Sequence, residues 1–304
     1  MRHAWLLPVI LSLLTGIAAA AEEDLAPAEV LAHLEEVCLG KTPPGNLSQR
    51  LADLEGLLLG YAREGTIPER VAFLRAAVFT STAQRPSICF RLNALEWALY
   101  HRVFAGPFLG RLEALENVIQ GRTGSGALTE RLAALAAFFW PEGRPPIAQM
   151  DLTARTLVKI VLLADLSSRE NKPGDAFPFA VAETVFQDGM VALPKGRTGQ
   201  GRIARIDPPG NMGRDARITV VFGPVGALDG TPVEIAAGEE CIAANKSQSL
   251  TVQVTTAGMI VLGPAGILSG LFVRGKDIFL AKGTELYVQT TAVTPCLTLA
   301  VEDR

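Results

Sequence analysis

A block of about twenty residues recurs through the first half of the chain, and it limits the possible folds more than any other feature. Three copies read LAHLEEVCLGKTPPGNLSQR (31–50), LADLEGLLLGYAREGTIPER (51–70) and LEALENVIQGRTGSGALTER (112–131). The copies begin at Leu31, Leu51, Val71, Leu92 and Leu112, and a partial sixth begins at Leu132. A unit this short cannot bury its own apolar side, so the copies must pack against one another.

The apolar positions within each block predict one helix per copy. They fall at position 17 of one block and positions 1, 4 and 8 of the next, a spacing of i, i+4, i+7 and i+11. Glycines such as Gly40 and Gly60 follow the last apolar position, where helices commonly end, and Thr66 to Glu69 has the form of a capping box. We expect six short antiparallel helices between about residues 27 and 139, forming a bundle or solenoid, because the turns are short.

Two charged positions recur as well. Arginine closes each block and glutamate occupies position 5, except in the third block, where Arg75 replaces the glutamate. The residues are Arg50, Arg70, Arg91, Arg111 and Arg131, with Glu35, Glu55, Glu96 and Glu116. Each arginine precedes the next glutamate by five residues, which is unfavourable for a pair within one helix. We favour surface pairs between neighbouring helices, which stabilise little; the alternative is a charge ladder that binds a ligand.

The repeat, written L-x-x-L-E-x-x-Φ-x-G-x-x-x-x-G-x-Φ-x-x-R, resembles the Leu/Glu/Gly repeats of secreted bacterial proteins. The resemblance covers residues 31–131. It implies an extracytoplasmic helical module and supplies no catalytic residue.

The second half is predicted to be a β domain. The helical period stops at a Pro/Gly run between residues 140 and 146, and runs rich in Val, Ile and Thr follow, separated by turn signals. The predicted strands are 157–163, 177–186, 201–206, 217–222, 249–254, 285–291 and 296–301. The expected fold is α+β in two domains, the second an antiparallel β-barrel or sandwich. The predicted segments are a signal peptide (1–20), the helical repeat domain (21–140), a linker (141–150) and the β-rich domain (151–304).

The N-terminus and the cysteines point to export. Arg2, a short apolar run and small residues at Ala18 and Ala20 have the order of a cleaved secretory signal peptide. In an exported protein, four widely spaced cysteines favour two disulfides over four buried free thiols. Because each half needs its own core, the expected pairs are Cys38 with Cys89 and Cys241 with Cys296.

Charge and motif content predict neither nucleic-acid binding nor a catalytic site. Without Arg2, 27 basic side chains face 31 acidic ones and no basic cluster stands out. The glycine-rich stretches 121–126 and 196–202 lack the G-K-[ST] ending of a phosphate loop. His33, His101, Lys195 and Lys282 are interpreted as solvated helix or turn residues. We therefore expect no enzyme activity, no cofactor and no metal site.

A second resemblance covers roughly residues 150–292. DLSSRENKPGDAFPFAVAETVFQDGMVALPKG (165–196), ITVVFGPVGALDGTPVEI (218–235) and FVRGKDIFLAKGTELYV (272–288) resemble an exported bacterial β domain of unknown activity. That domain is similar to the β-barrel domain of the outer-membrane channel subunit in type IV secretion and conjugation systems. The resemblance implies the domain type, and from this sequence we expect neither the cytoplasmic tail nor the membrane anchor of those subunits.

Residues 257–273, AGMIVLGPAGILSGLFV, carry no charge. One interpretation is an apolar hairpin folded over the end of the β domain. The other is an exposed loop that contacts a membrane or partner through Met259, Ile260, Leu262, Ile267, Leu268, Leu271 and Phe272.

The leading functional hypothesis is a non-enzymatic periplasmic or extracellular protein, a helical scaffold joined to a β module, that binds another envelope component. The partner is expected to be a protein or envelope component, with a membrane possible through residues 257–273 and a homo-oligomer left open. One alternative is an accessory subunit of a secretion-like assembly, and another is a cell-wall hydrolase with unidentified catalytic carboxylates.

Overall fold

Six helices of similar length form the N-terminal half, as the repeat predicts. The structure is a computed structural model that describes residues 25–210, 214–245, 250–254, 259–264 and 276–300. The helices are α1 (Pro27–Leu39), α2 (Leu47–Leu59), α3 (Ile67–Phe79), α4 (Ile88–Tyr100), α5 (Phe108–Gln120) and α6 (Leu128–Phe139). No helix in the described part of the chain combines the length and apolar character needed to cross a membrane.

Several helices begin or end at the capping residues and glycines of the repeat. Gly40, Gly60 and Gly121 end α1, α2 and α5 in the left-handed conformation, which glycine adopts at little cost. Asn46 and Ser87 cap α2 and α4 by accepting a backbone N–H from the first turn. Local sequence therefore sets both ends of these helices.

The recurrent apolar positions form one core. The buried side chains at positions 1, 4 and 8 are Leu31, Leu34, Cys38, Leu51, Leu54, Leu58, Val71, Leu74, Val78, Leu92, Leu95, Leu112 and Leu115. Leu99 and Ile119 are partly buried against the same core. The burial predicted for these positions is confirmed.

The helices close into a bundle and do not extend as an open solenoid. Helix α1 packs against α5 and α2 packs against α6, whereas each repeat of a solenoid contacts only its neighbours. The Thr129 hydroxyl of α6 donates to the Leu58 carbonyl of α2 at 3.0 Å. The first two helices are therefore joined to the last two through the interior.

A 3-10 turn at Pro141–Gly143 leads into the β half. Strand β1 (Ile147–Leu152) begins inside the segment predicted as linker, because it pairs along its whole length with β16 (Thr294–Leu299). The other strands are β2 (Leu157–Leu162), β3 (Leu166–Ser167), β4 (Ala176–Val181), β5 (Val185–Gln187), β6 (Met190–Leu193), β7 (Thr198–Asp207), β8 (Arg217–Phe222), β9 (Val225–Gly226), β10 (Pro232–Val233), β11 (Ile235–Ala236), β12 (Leu250–Val254), β13 (Ile260–Pro264), β14 (Phe279–Leu280) and β15 (Glu285–Thr290).

Eight of these strands form an antiparallel sheet that curls into a near-barrel. Their order is β11-β15-β2-β4-β7-β8-β13-β12, and their inward side chains form one apolar core. Strand β8 matches the predicted 217–222, whereas the predicted 177–186 is divided into β4 and β5. The barrel is thus the better of the two predicted β architectures.

Glycines in β7 make room for aromatic rings from β4. A side-chain carbon at Gly199 or Gly201 would lie 2.4 Å from the Phe179 ring or 2.2 Å from the Phe177 ring. Both rings also make edge contacts with Phe222. The two glycines therefore let the aromatic core lie directly on the strand backbone.

Helix α7 (Glu239–Asn245), which the sequence analysis did not predict, fills the gap between the two ends of the sheet. It contacts β12 at one end and β15 near the other. The Asn245 carboxamide donates to the Tyr287 carbonyl at 2.9 Å and accepts the Tyr287 N–H at 2.8 Å. Asn245 thus gives β15 the two hydrogen bonds that a neighbouring strand would give.

The predicted interaction loop is largely corrected where the structure describes it. Ile260 and Leu262 are fully buried in β13, which pairs with β8 and β12, and Met259 is half-buried. Strand pairing directs the alternate side chains of this segment into the core. Ile267, Leu268, Leu271 and Phe272 lie outside the described residues.

The disulfide prediction is also corrected, because all four cysteines are free and buried. The Cys89 sulfur accepts from the Asn93 side-chain amide at 3.4 Å, and the Cys241 thiol donates to the side-chain oxygen of Gln289 at 3.7 Å. Burial raises the pKa of Cys38 and of Cys296 to about 12. Each cysteine is therefore a buried free thiol, as in the alternative of four free thiols.

Candidate interaction site at the junction of the two halves

Each glutamate of the repeat binds the arginine fifteen residues later, on the next helix, through two hydrogen bonds. The pairs are Glu35–Arg50, Glu55–Arg70, Glu96–Arg111 and Glu116–Arg131. Pairing between neighbouring helices is thus confirmed. Its surface location is wrong, because the four glutamate side chains are at most 2% exposed. The fork-shaped guanidinium suits such two-point pairing of a buried carboxylate.

Three of these glutamates also hold the turn that follows their helix. Glu55, Glu96 and Glu116 each accept a backbone N–H from eight residues later, at 2.9 Å. In the first repeat the matching residue is Pro43, which has no N–H to donate. The recurrent glutamate therefore fixes both the next helix and the turn before it.

Two of these glutamates, Glu55 and Glu116, have a lowered pKa although they are buried. Burial acts to raise the pKa of Glu55, but the hydrogen bonds from Arg70 and from the Arg63 N–H lower it below its ordinary value. The pKa of Glu116 is lowered in the same way by Arg131 and the Gly124 N–H. In both pairs, the charged glutamate and the charged arginine bind each other and so hold two neighbouring helices together.

The third repeat departs from this pattern. Arg75 stands where the other copies have glutamate, and Arg91 donates instead to the Thr129 carbonyl of α6 at 2.9 Å. Burial lowers the pKa of Arg91. Arg91 therefore links α4 to α6 where its counterparts link consecutive helices.

The fourth repeat carries the apolar junction between the two halves. Phe90, Ala94 and Trp97 of α4, with Val103 in the turn after it, form a buried cluster with residues of the β half. The β-half members are Val191, Leu228, Leu297 and Leu299. The β half thus covers the outer face of α4. In the other helices of the bundle the corresponding face is not covered by the described residues of the β half.

Asn93 carries the polar part of the same junction. Its amide donates to the Leu228 carbonyl at 2.8 Å, and its side-chain oxygen accepts from Arg111 at 2.7 Å. Arg111 is itself paired with Glu96. The ion pair of the fourth repeat is therefore connected through one amide to the backbone of the β half.

Two further charged residues from the β half complete this polar region. Asp229 accepts the Leu297 N–H and both the N–H and the hydroxyl of Thr231, each at 2.9 Å. Arg197 is half-buried, donates to the Gly226 carbonyl at 3.1 Å, and has its pKa lowered by burial. With Glu96 and Arg111, the junction holds two positive and two negative side chains.

An exposed aromatic cleft lies at the edge of this junction. It has a volume of about 430 Å³ and is lined by Tyr100, Phe104, Ala105, Gly106, Pro107, Gly110, Arg111, Ala114 and Leu115. The rings of Tyr100 and Phe104 stand nearly perpendicular, at 85°, with centroids 5.2 Å apart. They are 37% and 36% exposed. The cleft therefore offers two rings to solvent beside a floor made mostly of small residues.

The turn that borders the cleft is fixed by hydrogen bonds on both sides. The Phe104 N–H donates to Glu96 at 2.9 Å, and the neighbouring Val103 N–H donates to the Lys195 carbonyl at 2.8 Å. The turn carrying Phe104 is thus fixed to α4 on one side and to the β half on the other. A site on a fixed turn binds without the loss of entropy that ordering a loop would cost.

The aromatic cleft was not predicted from the sequence, although the repeat contains the signal. Tyr100 and Phe104 occupy positions 9 and 13 of their block, where the second block has Leu59 and Arg63. Tyr100 is the last residue of α4 and Phe104 lies in the turn after it, so neither ring is needed for the core of the bundle. The cleft could therefore have been found from residues that differ from the repeat, and not from those that recur.

The histidines and lysines that the sequence analysis considered form no metal-binding group among the described residues. His101 ends α4 in the left-handed conformation with a φ of 51°, and its ring contacts Trp97. The His33 ring lies 6.1 Å from that of Phe79. Lys195 and Lys282 are exposed. Among the described residues, no group of three His, Cys, Asp or Glu is arranged to hold a metal ion.

Comparison with known proteins adds only weak structural likeness. No protein-family model matches the chain, and no curated protein matches it. Among solved structures it is similar to ComB10 of the Com type IV secretion system of Helicobacter pylori, with 15% sequence identity and a TM-score of 0.26. The match covers 46% of this chain and 87% of that chain. A likeness at this level carries no argument about function.

Proposed function

We propose that this protein is a non-enzymatic scaffold of the cell envelope that binds another envelope protein through the aromatic cleft. The observation that carries the proposal is an exposed ring pair: Tyr100 at the end of α4 and Phe104 on a turn that is fixed from both sides. Large aromatic side chains on a preorganised surface are the usual anchors of protein interfaces. An envelope location rests on the predicted signal peptide and on the resemblance of the repeats to secreted bacterial proteins.

The architecture supports a scaffold role. The repeated ion pairs hold the helices internally, and the junction joins the bundle to the near-barrel through both apolar packing and Asn93. These junction contacts fix the cleft relative to both halves. A binding protein benefits from such rigidity, because less entropy is lost when the partner binds.

A second candidate is an accessory subunit of a secretion-like envelope assembly. The near-barrel sheet of the C-terminal half favours it, since the resemblance in residues 150–292 implies this domain type. Both candidates require a protein partner, and they differ in whether that partner belongs to a secretion assembly.

Site-specific crosslinking in cells tests the proposed function. A photoreactive amino acid would replace Tyr100 in one variant and Tyr61 in another, because Tyr61 is 56% exposed and lies at the end of the second repeat's helix. We expect a discrete crosslinked partner from position 100 and none from position 61, with identification by mass spectrometry. Equal capture at both positions, or no capture at position 100, would contradict the proposal.

The variant Phe104→Ala provides a second readout. It removes the ring but keeps the backbone N–H that donates to Glu96, so the turn should remain in place. We expect the partner to be lost from co-purification while the thermal unfolding curve changes little. The matched control, Tyr61→Ala, should retain the partner.

A further inference from the structure

The charge around the aromatic cleft is positive. The Arg102 guanidinium carbon lies 4.6 Å from the centroid of the Phe104 ring, and Arg102 is exposed. Lys195, also exposed, is held beside the same turn by the hydrogen bond from the Val103 N–H to its carbonyl. Arg111 also lines the cleft, but it is buried and paired with Glu96, so the exposed positive charge is that of Arg102 and Lys195.

The nearest carboxylates do not neutralise this rim. Glu96 is buried and is bound by Arg111 and by the Phe104 N–H. Glu113 of α5 acts instead on Arg131 of the next helix, whose pKa is raised by Glu116 and, to a smaller extent, by Glu113. A ligand in the cleft therefore meets two rings and, at the ring of Phe104, the exposed guanidinium of Arg102.

The shape of the cleft favours an extended chain. A bound helix needs a long groove with anchor sites at i, i+3, i+4 and i+7, whereas this cleft has one pair of rings. Gly106, Gly110 and Ala114 carry little or no side chain, so a peptide backbone can approach the floor closely. Perpendicular aromatic rings of this type pack against proline, whose extended helix loses little entropy on binding.

We propose that the cleft binds an acidic, proline-containing segment of the partner in an extended conformation. Proline packs against the solvent-facing sides of the Tyr100 and Phe104 rings, and a flanking carboxylate pairs with Arg102. Lys195 adds to the local positive potential, which speeds association with an acidic segment and makes binding sensitive to salt. This inference rests on the proposed function and adds the chemistry of the partner.

Titration of the whole protein with synthetic peptides tests it. The probes are a fluorescent, end-blocked Glu-Pro-Pro-Glu peptide and the corresponding Lys-Pro-Pro-Lys and Glu-Ala-Ala-Glu peptides, followed by anisotropy. We expect the acidic proline peptide to bind at least about tenfold more tightly than either control, and more weakly as salt is added. Equal affinity for the lysine or alanine peptide would overturn the proposal.

Two variants with matched controls localise the binding. Phe104→Ala should weaken the acidic peptide by about tenfold, and Arg102→Gln should weaken it by a few-fold and reduce its salt dependence. The controls are Tyr61→Ala and Arg122→Gln; Arg122 is exposed and occupies the position of Arg102 in the next block. Controls as weak as the cleft variants would place the binding elsewhere and overturn the proposal.

The two proposals fail in different ways. If Tyr100 captures a partner in cells but the three peptides bind alike, the scaffold function stands and the inferred chemistry is wrong. If Tyr100 captures no partner, the proposed function fails whatever the peptides do. Circular dichroism melting of each variant shows that it is folded before its affinity is compared.

Discussion

The two halves of this molecule reach a buried core by opposite routes. In the helical half, charged and apolar contacts repeat along the chain, and each glutamate finds its arginine fifteen residues later. In the β half, β1 pairs with β16 across almost the whole domain, with Ile147 opposite Leu299. Local copies therefore build one core and distant pairing builds the other, and the difference predicts how each half responds to damage.

The largest effect is expected from a charge placed in the helical core. Leu54 is 2% exposed, so Leu54→Asp would bury an unpaired carboxylate at a cost of several kcal/mol. We expect loss of helical circular dichroism and of the cooperative melting of this half. Tyr61→Asp, at an exposed site just beyond the same helix, should melt like the wild type; an unchanged melting curve for Leu54→Asp would mean that the repeat does not form this core.

A similar change in the β half tests the correction of the interaction loop. Ile260 is fully buried in β13, so Ile260→Asp should lower the stability of the β half by several kcal/mol. Thermal unfolding followed by the β-sheet absorption in the infrared measures it. The control is Val221→Asp, because Val221 is 42% exposed on the neighbouring strand. If the Ile260→Asp protein kept its stability but no longer bound a partner, the segment would be an interaction loop and not part of the core.

A smaller effect is expected from breaking one ion pair of the ladder. Glu55→Gln removes the charge from a fully buried side chain and leaves Arg70 without its partner, which costs about 3 kcal/mol. Chemical denaturation should show this loss. Glu69→Gln, which changes an exposed capping carboxylate on the next helix, serves as the control and should lose much less. Equal losses would show that the ladder pairs have no special role.

Acid should destabilise the helical half. The pKa values of Glu55 and Glu116 are lowered in the folded state, so their contribution to stability is complete above their unfolded pKa of about 4.3. It is lost as the pH falls through the lower folded values. We expect the helical signal to melt at progressively lower temperature below about pH 4, and Glu55→Gln to flatten this dependence. A helical half insensitive to that acid range would contradict the assignment.

The contrast also explains what the sequence could predict. The helices, their ends and their buried positions follow from local rules, so the repeat located all six. Strands such as β8 were recognised by composition. The pairing of β1 with β16 joins residues far apart in the chain, so the sequence did not show that the β half begins at Ile147. The burial of Glu55 could not be read from spacing, because only the folded bundle shows which surface lies inside.

The candidate site was missed for a related reason. Periodicity draws attention to the residues that recur, and these build the core. Tyr100 and Phe104 are exceptions to the period in one block, and their meeting across 5.2 Å depends on the fold of a single turn. Asn93 is another exception, and its contact with the Leu228 carbonyl joins residues 135 positions apart.

Helix α7 has a consequence for how copies of this protein behave together. Strand edges with unsatisfied N–H and C=O groups invite pairing with another chain, and soluble proteins survive by blocking them. Asn245 blocks β15 by binding both backbone groups of Tyr287. The short helix is thus a guard against self-association through the sheet, and its loss would expose a template for aggregation in a protein whose two cores are otherwise intact.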